Sequence, residues 1–472
     1  MKILFVAAEA APLAKVGGLG EVIGSLPKAL NRIGHDVRLI MPRYGTIDPV
    51  KYHIKSVIDD LDIQNTQAVK PITLRVTTLP EGVTVYLVDS YDYSISCEIY
   101  GKDDLQRFLF FCRAVVEIMP RLDWQPEIIH CHDWHTALIP MWLNKSNSCY
   151  ASVFTVHNLA YQGSFDTAFL SASGLQEYWD SGPSGAPVPP LNFMAQGVLC
   201  ADAVTTVSKT YAKEILTPEY GNGLDQFLRY RSEKLFGVVN GIDYEEYNPA
   251  SDGLIPARYR FSALSAKVIN KLALQERFGL TKDADIPIVG MVTRLDEQKG
   301  LDILLEGIDS LVRDTKVQLI ILGKGRERYH ELLKQAVERY PQRVAAFFAF
   351  DDALAHLIYA GSDMYLMPSR FEPCGLGQMV AMRYGTVPVV RSTGGLADTV
   401  HDLTPDLSEG NGFVFRDYNV DAMIVTLNRA LTAYFTQRKK WHGIMKRIMA
   451  IDFSWQSSAR KYESIYHKAL RG

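Results

Sequence analysis

Ile3-Leu4-Phe5-Val6-Ala7-Ala8 carries no charged residue, and Lys15-Val16-Gly17-Gly18-Leu19 follows it a short loop later. An apolar run this short, ended by a Gly-Gly step, reads as a strand buried on both faces that feeds a helix. Strand, loop, helix is the repeating unit of a parallel α/β sheet. The same grammar returns in the second half, where Thr393-Gly394-Gly395-Leu396-Ala397-Asp398 follows the apolar run 387–390. Alone, each Gly-Gly step is equally a tight turn or the mouth of a helix whose backbone N–H groups favour an anion.

Outward from these two copies the pattern is continuous. Apolar runs at 3–8, 37–41, 85–88, 128–131, 153–156, 204–207 and 236–239 are expected as strands of the first half. Those at 286–292, 317–322, 345–350, 364–367 and 387–390 are expected in the second. Amphipathic stretches at 263–278, 301–313 and 326–340 predict helices between them. Residues 240–260, rich in Asp, Tyr, Asn and Pro, read as a linker. The fold class is therefore α/β, with two doubly wound Rossmann-like domains facing across a cleft. The expected bounds are 1–245, 246–456 and a C-terminal helix within 457–472, drawn at 457–470, that crosses back to the first domain. Ligands in such sheets sit at the carboxyl ends of the strands.

Composition narrows the class. Of 472 residues, 47% are hydrophobic and 22% charged, with a net charge of −3. That balance argues against a broad basic surface for nucleic acid or anionic membrane. No apolar run approaches the roughly 18 residues of a membrane span. The N-terminal run imitates a secretory signal, but Glu9 interrupts it, and it reads better as the first strand. Six scattered cysteines without a Cys-x-x-Cys pair fit a reducing compartment, so a cytoplasmic location is expected.

Chemistry-bearing residues fall at the expected strand ends. Lys15 supplies a mobile cation beside Gly17 and Gly18. Arg294 and Lys299, after the strand 286–292, can flank a diphosphate, one as a planar fork and the other as a point charge. Glu372 follows the strand 364–367, with Pro373 halting sheet pairing. Cys374-Gly375-Leu376-Gly377 can then open a helix toward phosphate. His130-Cys131-His132-Asp133-Trp134-His135 invites a metal reading, yet its spacing matches no standard zinc pattern. His157, at another strand end, reads as a hydrogen-bonding group at a sugar. Taken singly, these segments also fit solvated loops, capping acids or structural histidines.

Together they resemble the bacterial glycogen synthase and plant starch synthase family, retaining glucosyltransferases of the two-Rossmann-domain (GT-B) type. The resemblance covers the whole chain. It rests on Lys-Val-Gly-Gly-Leu at Lys15, His-Asp-Trp-His at His132, Val-His-Asn at Val156, Val-Asn-Gly-Ile-Asp at Val239, Arg294 with Lys299, Phe-Glu-Pro-Cys-Gly-Leu at Phe371, and Thr-Gly-Gly-Leu at Thr393. It implies transfer of glucose from ADP-glucose to the non-reducing end of an α-1,4-glucan, with retention and with neither metal nor prosthetic group. Arg294, Lys299, Glu372 and His157 would carry catalysis. Lys15, Gly17, Gly18, Asn240, Phe350, Cys374, Gly375, Leu376, Thr393, Gly394 and Gly395 would bind the donor, with Phe350 stacking on adenine. Asp133, Asn158 and Tyr161 would lie on the acceptor side.

Some positions depart from the family pattern. Val16 resembles the plant soluble starch synthase type, as in cyanobacterial and plant members, where many bacterial enzymes carry threonine. Val380 stands where wider relatives carry a second glutamate, and the segment 91–98 lacks the usual arginine of the acceptor-side loop. Two rival readings follow: a UDP-glucose-dependent retaining transferase with another acceptor, and a non-catalytic glucan-binding or initiation homologue.

Overall fold

The computed structural model describes residues 1–64, 69–95, 98–146, 148–182 and 190–471; Ser96 and Cys97, inside the 91–98 segment, lie outside the described residues. The chain divides into two units, Met1–Gly241 with Trp455–Gly472, and Ile242–Ser454.

In the first unit the strands are β1 (Lys2–Val6), β2 (Asp36–Pro42), β3 (Lys55–Gln64), β4 (Val69–Thr78), β5 (Thr84–Asp89), β6 (Ile128–His132), β7 (Ala151–Val156), β8 (Ala203–Thr206) and β9 (Leu235–Gly237). Among the described residues they form one sheet in the order β3-β4-β5-β2-β1-β6-β7-β8-β9. From β5 through β9 neighbours run parallel, so the loops after β1, β6 and β7 leave the sheet at the same edge. The runs expected as strands all lie here. The pair β3 and β4 was not expected: it adds an antiparallel hairpin beyond β5. Its outer strand, Lys-Ser-Val-Ile-Asp-Asp-Leu-Asp-Ile-Gln, is largely exposed and lacks the apolar run that marks a buried strand. Its aspartates guard a sheet edge.

The second unit contains β10 (Ile288–Val292), β11 (Gln318–Leu322), β12 (Val344–Phe347), β13 (Met364–Met367), β14 (Val387–Arg391) and β15 (Phe413–Phe415). They pair in parallel in the order β12-β11-β10-β13-β14-β15. Both faces of this sheet are covered. Val289, Met291, Leu319 and Ile321 pack with Leu301, Leu304, Ile308 and Leu311 of the helix Leu301–Asp314. Ile288, Ile320 and Leu322 pack on the other side with Leu274, Leu354 and Ile358. Each such buried side chain contributes about 1.5–3 kcal/mol. Two-sided burial is why these strands read as continuous apolar runs.

Three boundaries shift from expectation. Pro287 has no N–H to give a ladder, and β10 starts after it. β12 ends at Phe347, which leaves Phe350 beyond the strand and 73% exposed. The C-terminal helix runs Trp455–Ala469. It belongs to the first unit, where Ser458 Oγ donates to Val239 O at 2.6 Å.

The segment expected as a linker is instead built into the second unit from Ile242 on. Asp252 is buried, bonded to His356 Nδ1 at 2.8 Å and to the Tyr384 hydroxyl at 2.6 Å. Tyr259 Oη donates to Tyr384 O at 2.7 Å. The apolar pattern does not reveal this anchoring, because polar side chains provide it.

Candidate active site

The first constellation lies at the carboxyl edge of the first unit's sheet. After β1 the chain turns back through Lys15–Gly18 into the helix Gly18–Arg32, with Gly17 as its N-cap. Glu9, only 3% exposed, governs this loop: Oε2 accepts Val16 N at 2.6 Å and Gly17 N at 3.1 Å, and Oε1 accepts the Tyr100 hydroxyl. Two of the loop's N–H groups are thus committed to a carboxylate. Lys15 Nζ lies 2.8 Å from Glu21 Oε1 and keeps 36% side-chain exposure. In the sequence alone Glu9 reads merely as a break in an apolar run. The signal in the sequence is an acid shortly past the strand, eight residues before Gly17.

After β6, Asp133 adopts φ 57°, a left-handed conformation unusual for a non-glycine residue, beside the turn Trp134–Thr136. Its N–H donates to Thr155 O at 2.9 Å, and its Oδ1 accepts His157 N at 2.8 Å. Residues from the ends of β6 and β7 are thereby locked together. Burial pushes the Asp133 carboxyl up to about 7, against the opposing pull of the His157 and Asn158 N–H groups. Burial holds the His157 imidazole down to about 3 and His135 likewise. His157 Nε2 meets His132 Nδ1 at 3.0 Å.

The histidines of 130–135 are packing and hydrogen-bonding groups. His130 bonds Tyr466 Oη at 2.8 Å and Thr155 Oγ1 at 2.6 Å, and its ring lies 4.1 Å from that of His132. Among the described residues, no group of three or more His, Cys, Asp or Glu side chains gathers as a metal ion requires. Asn158 Oδ1 accepts Ala160 N at 3.0 Å, and Tyr161 is 56% exposed. Asn240 is 6% exposed, and its Oδ1 has no hydrogen-bond partner among the described residues. A buried acceptor of that kind calls for a ligand or an ordered solvent molecule.

The second constellation lies at the carboxyl edge of the second unit's sheet. Gly300 takes φ 72° and approaches Pro368 so closely that a Cβ would overlap its carbonyl. That approach sets Lys299 against the loop after β13, where its Nζ lies 2.6 Å from Glu372 Oε2. The same oxygen accepts the Ser369 hydroxyl at 3.1 Å. Glu372 is 5% exposed, whereas the Arg294 side chain is 43% exposed. Gln298 binds these loops together: Nε2 donates to Phe371 O at 3.3 Å, O accepts Arg370 N at 2.8 Å, and Oε1 accepts Arg294 NH2 at 3.2 Å.

Thr393, Gly394 and Gly395 dock onto the Glu372–Cys374 backbone. Gly395 N donates to Glu372 O at 3.0 Å, and a Cβ on Gly394 or Gly395 would overlap the carbonyl of Glu372 or Cys374. These glycines serve close backbone approach. Gly375 takes φ 71°, and Leu376 is the N-cap of the short helix Gly377–Arg383. Val380 is buried on that helix. Cys374 is 6% exposed, whereas Phe350 is 73% exposed.

Two doubly wound units, one with a buried carboxylate beside a cation and the other with a histidine and an aspartate at adjoining strand ends, have the architecture of the two-Rossmann-domain glycosyltransferases, and similarity to known proteins places the chain in that class. Residues 2–230 match the starch synthase catalytic domain, and residues 274–443 match the glycosyl transferases group 1. Over 100% of its length the chain is 45% identical to the glycogen synthase of Moorella thermoacetica and 46% identical to that of Geotalea daltonii, covering 97% and 99% of those proteins. The catalytic domain of starch synthase IV from Arabidopsis thaliana, bound to ADP and acarbose, superposes with a TM-score of 0.92 at 33% identity, with 100% of this chain and 99% of that one covered. The chain belongs to the glycogen synthase and starch synthase family, and it is a glucosyltransferase of glycogen or starch synthesis.

Proposed function

We propose that the enzyme transfers glucose from ADP-glucose to the non-reducing end of an α-1,4-glucan with retention of configuration. The observation that carries this reading is the Lys299–Glu372 pair, a cation and a nearly buried carboxylate held 2.6 Å apart at one strand end. The ADP bound to the Arabidopsis relative supports adenine as the base. On this reading Arg294 and Lys299 neutralise charge as the diphosphate departs, assisted by Lys15. Gly17, Gly18, Cys374, Gly375, Leu376 and the Thr393–Gly395 step shape the donor's surroundings, and Phe350 stacks on its base. Glu372, His157 and Asn240 hold the glucosyl unit; Asp133, Asn158 and Tyr161 order the acceptor.

Retention without a carboxylate nucleophile fits a front-side displacement, in which the departing diphosphate accepts the acceptor's proton while the site keeps water away. Charge neutralisation falls to side chains, with no metal or prosthetic group assigned. The free cysteines among the described residues suit a cytoplasmic reaction.

Equal concentrations of ADP-glucose and UDP-glucose, offered with glycogen as primer, test the donor. Preferential ADP release is expected, and preferential UDP release overturns the assignment. Glu372→Ala is expected to abolish transfer with the fold intact; near-normal transfer would remove Glu372 from its role.

A further inference from the structure

His132 is 0% exposed and stands in neither of the roles assigned above. Its ring is clamped. Phe5 stacks on it with centroids 5.0 Å apart and planes 25° from parallel, and the His130 ring lies 4.1 Å away. Its Nδ1 meets Nε2 of His157 at 3.0 Å, while its own Nε2 has no hydrogen-bond partner among the described residues.

One hydrogen must lie between the two facing nitrogens, because two bare lone pairs would repel. There are two ways to supply it. If His157 donates from Nε2, the neutral His132 ring must carry its hydrogen on Nε2, burying an N–H with nothing to accept it. If His132 donates from Nδ1, that N–H is satisfied and the buried Nε2 holds no hydrogen. Orphaned buried N–H groups are the rarer outcome in folded proteins. Which ring nitrogen of a histidine holds the hydrogen is set by the bond the other nitrogen makes. Burial keeps both rings neutral. His157 then accepts at Nε2 and carries its hydrogen on Nδ1, the nitrogen left to meet a ligand.

We propose that His132 is a positioning residue for the transfer reaction, donating from Nδ1 to Nε2 of His157 and so holding His157 in the Nδ1–H tautomer, a hydrogen-bond donor toward the glucosyl unit. The tautomer follows from the two rings alone; its use in transfer rests on the role proposed for His157. A donor fixed in this way binds a sugar oxygen through a lone pair and leaves that oxygen's own hydrogen for another acceptor. Asp133 fixes the backbone of the same residue through His157 N, so neighbouring residues 132 and 133 set the ring state and the main chain of His157 separately.

Long-range proton–nitrogen correlation on the full-length chain with 15N-labelled histidine rings tests the tautomer without any donor. His157→Gln and His132→Phe identify the two signals by loss. The native chain is expected to show hydrogen on Nδ1 of both rings, and hydrogen on Nε2 of His157 overturns the proposal. In His132→Phe, which keeps a stacked ring and removes the donor, His157 is expected to exchange between tautomers and kcat/KM to fall by about 10²-fold. His132→Asn sets an amide N–H near the former Nδ1 and is expected to restore both the His157 signal and most of the rate. Equal rates for the native chain and His132→Phe also overturn it. A normal Nδ1–H signal with an inert His157→Ala substitution would instead remove the sugar-binding role and leave the tautomer standing.

Discussion

The Nζ of Lys299 lies 2.6 Å from Oε2 of Glu372, at 14% and 7% side-chain exposure. The group proposed to hold phosphate and the group proposed to hold sugar are therefore one electrostatic unit. A diphosphate that engages Lys299 must share it with Glu372, and a displaced lysine carries its effect to the acid.

Lys299→Met is expected to lower transfer by about 10²–10³-fold, the usual loss when one such charge-stabilising group is removed. It also strands a nearly buried carboxylate, so the melting temperature should fall. Adding Glu372→Gln should recover much of that temperature and none of the rate, because removing both charges costs less than breaking the pair. Melting curves and nucleotide-release assays on the single and double variants check this.

Gly395→Ala is expected to destabilise strongly, since its Cβ would overlap the Cys374 carbonyl, which is backbone and has little room to move. Gly17→Ala meets nothing within 4 Å and has an extended φ of −148°, so the protein should melt within a few degrees of the native temperature. Equal melting temperatures for the two variants would contradict the close docking of the 393–395 loop.

Glu9→Gln sets an amide NH2 in place of one oxygen, either against Val16 N and Gly17 N, which share Oε2, or against the Tyr100 hydroxyl on Oε1. The expected cost is about 1–3 kcal/mol. Faster hydrogen exchange at Val16 and Gly17 should accompany it, with exchange in β10 and β11 unchanged.

Asp133 sets a pH dependence. Its folded carboxyl is raised to about 7, above the unfolded value near 3.9, so the native state binds the extra proton between those limits. Stability from this group is therefore full at the acid end of the window and declines as pH rises through about 7. Asp133→Asn removes the dependence. Its melting temperature should exceed the native one at pH 8, and the gain should shrink toward pH 5. Below the ordinary histidine value His135 and His157, both held down to about 3, act with the opposite sign, disfavouring the folded state as unfolded histidines take up protons. Melting temperatures of both proteins from pH 5 to 8 measure the difference.

Much of the architecture was legible because strands buried on both faces must be apolar throughout, as Ile288–Val292 and Gln318–Leu322 largely are. The hairpin of β3 and β4 escaped because an exposed edge strand has no such constraint. At the candidate site, strand-end positions were legible for Glu372, Lys299 and His157. Their couplings were not: Glu9 reaches Gly17, His132 reaches His157, and Asp252 reaches His356 through side-chain bonds that leave no periodicity in the chain. The Gly394-Gly395 step shows the same limit, since a glycine demanded by a neighbouring backbone and a glycine demanded by a ligand are written with one letter.

The helix Trp455–Ala469 sets the order in which the protein can mature. Its Tyr466 hydroxyl reaches His130, so the first unit is made from segments on both sides of Ile242–Ser454. At about 5–20 residues per second a ribosome needs on the order of 10–40 s to make that intervening stretch. Throughout that interval strands β1 to β9 of the first unit's sheet have all been made but Tyr466, the partner of His130, has not. The unit begun first is thus completed after the residues of the second have been made, and the ring of His130, packed on His132, gains its Tyr466 partner only then.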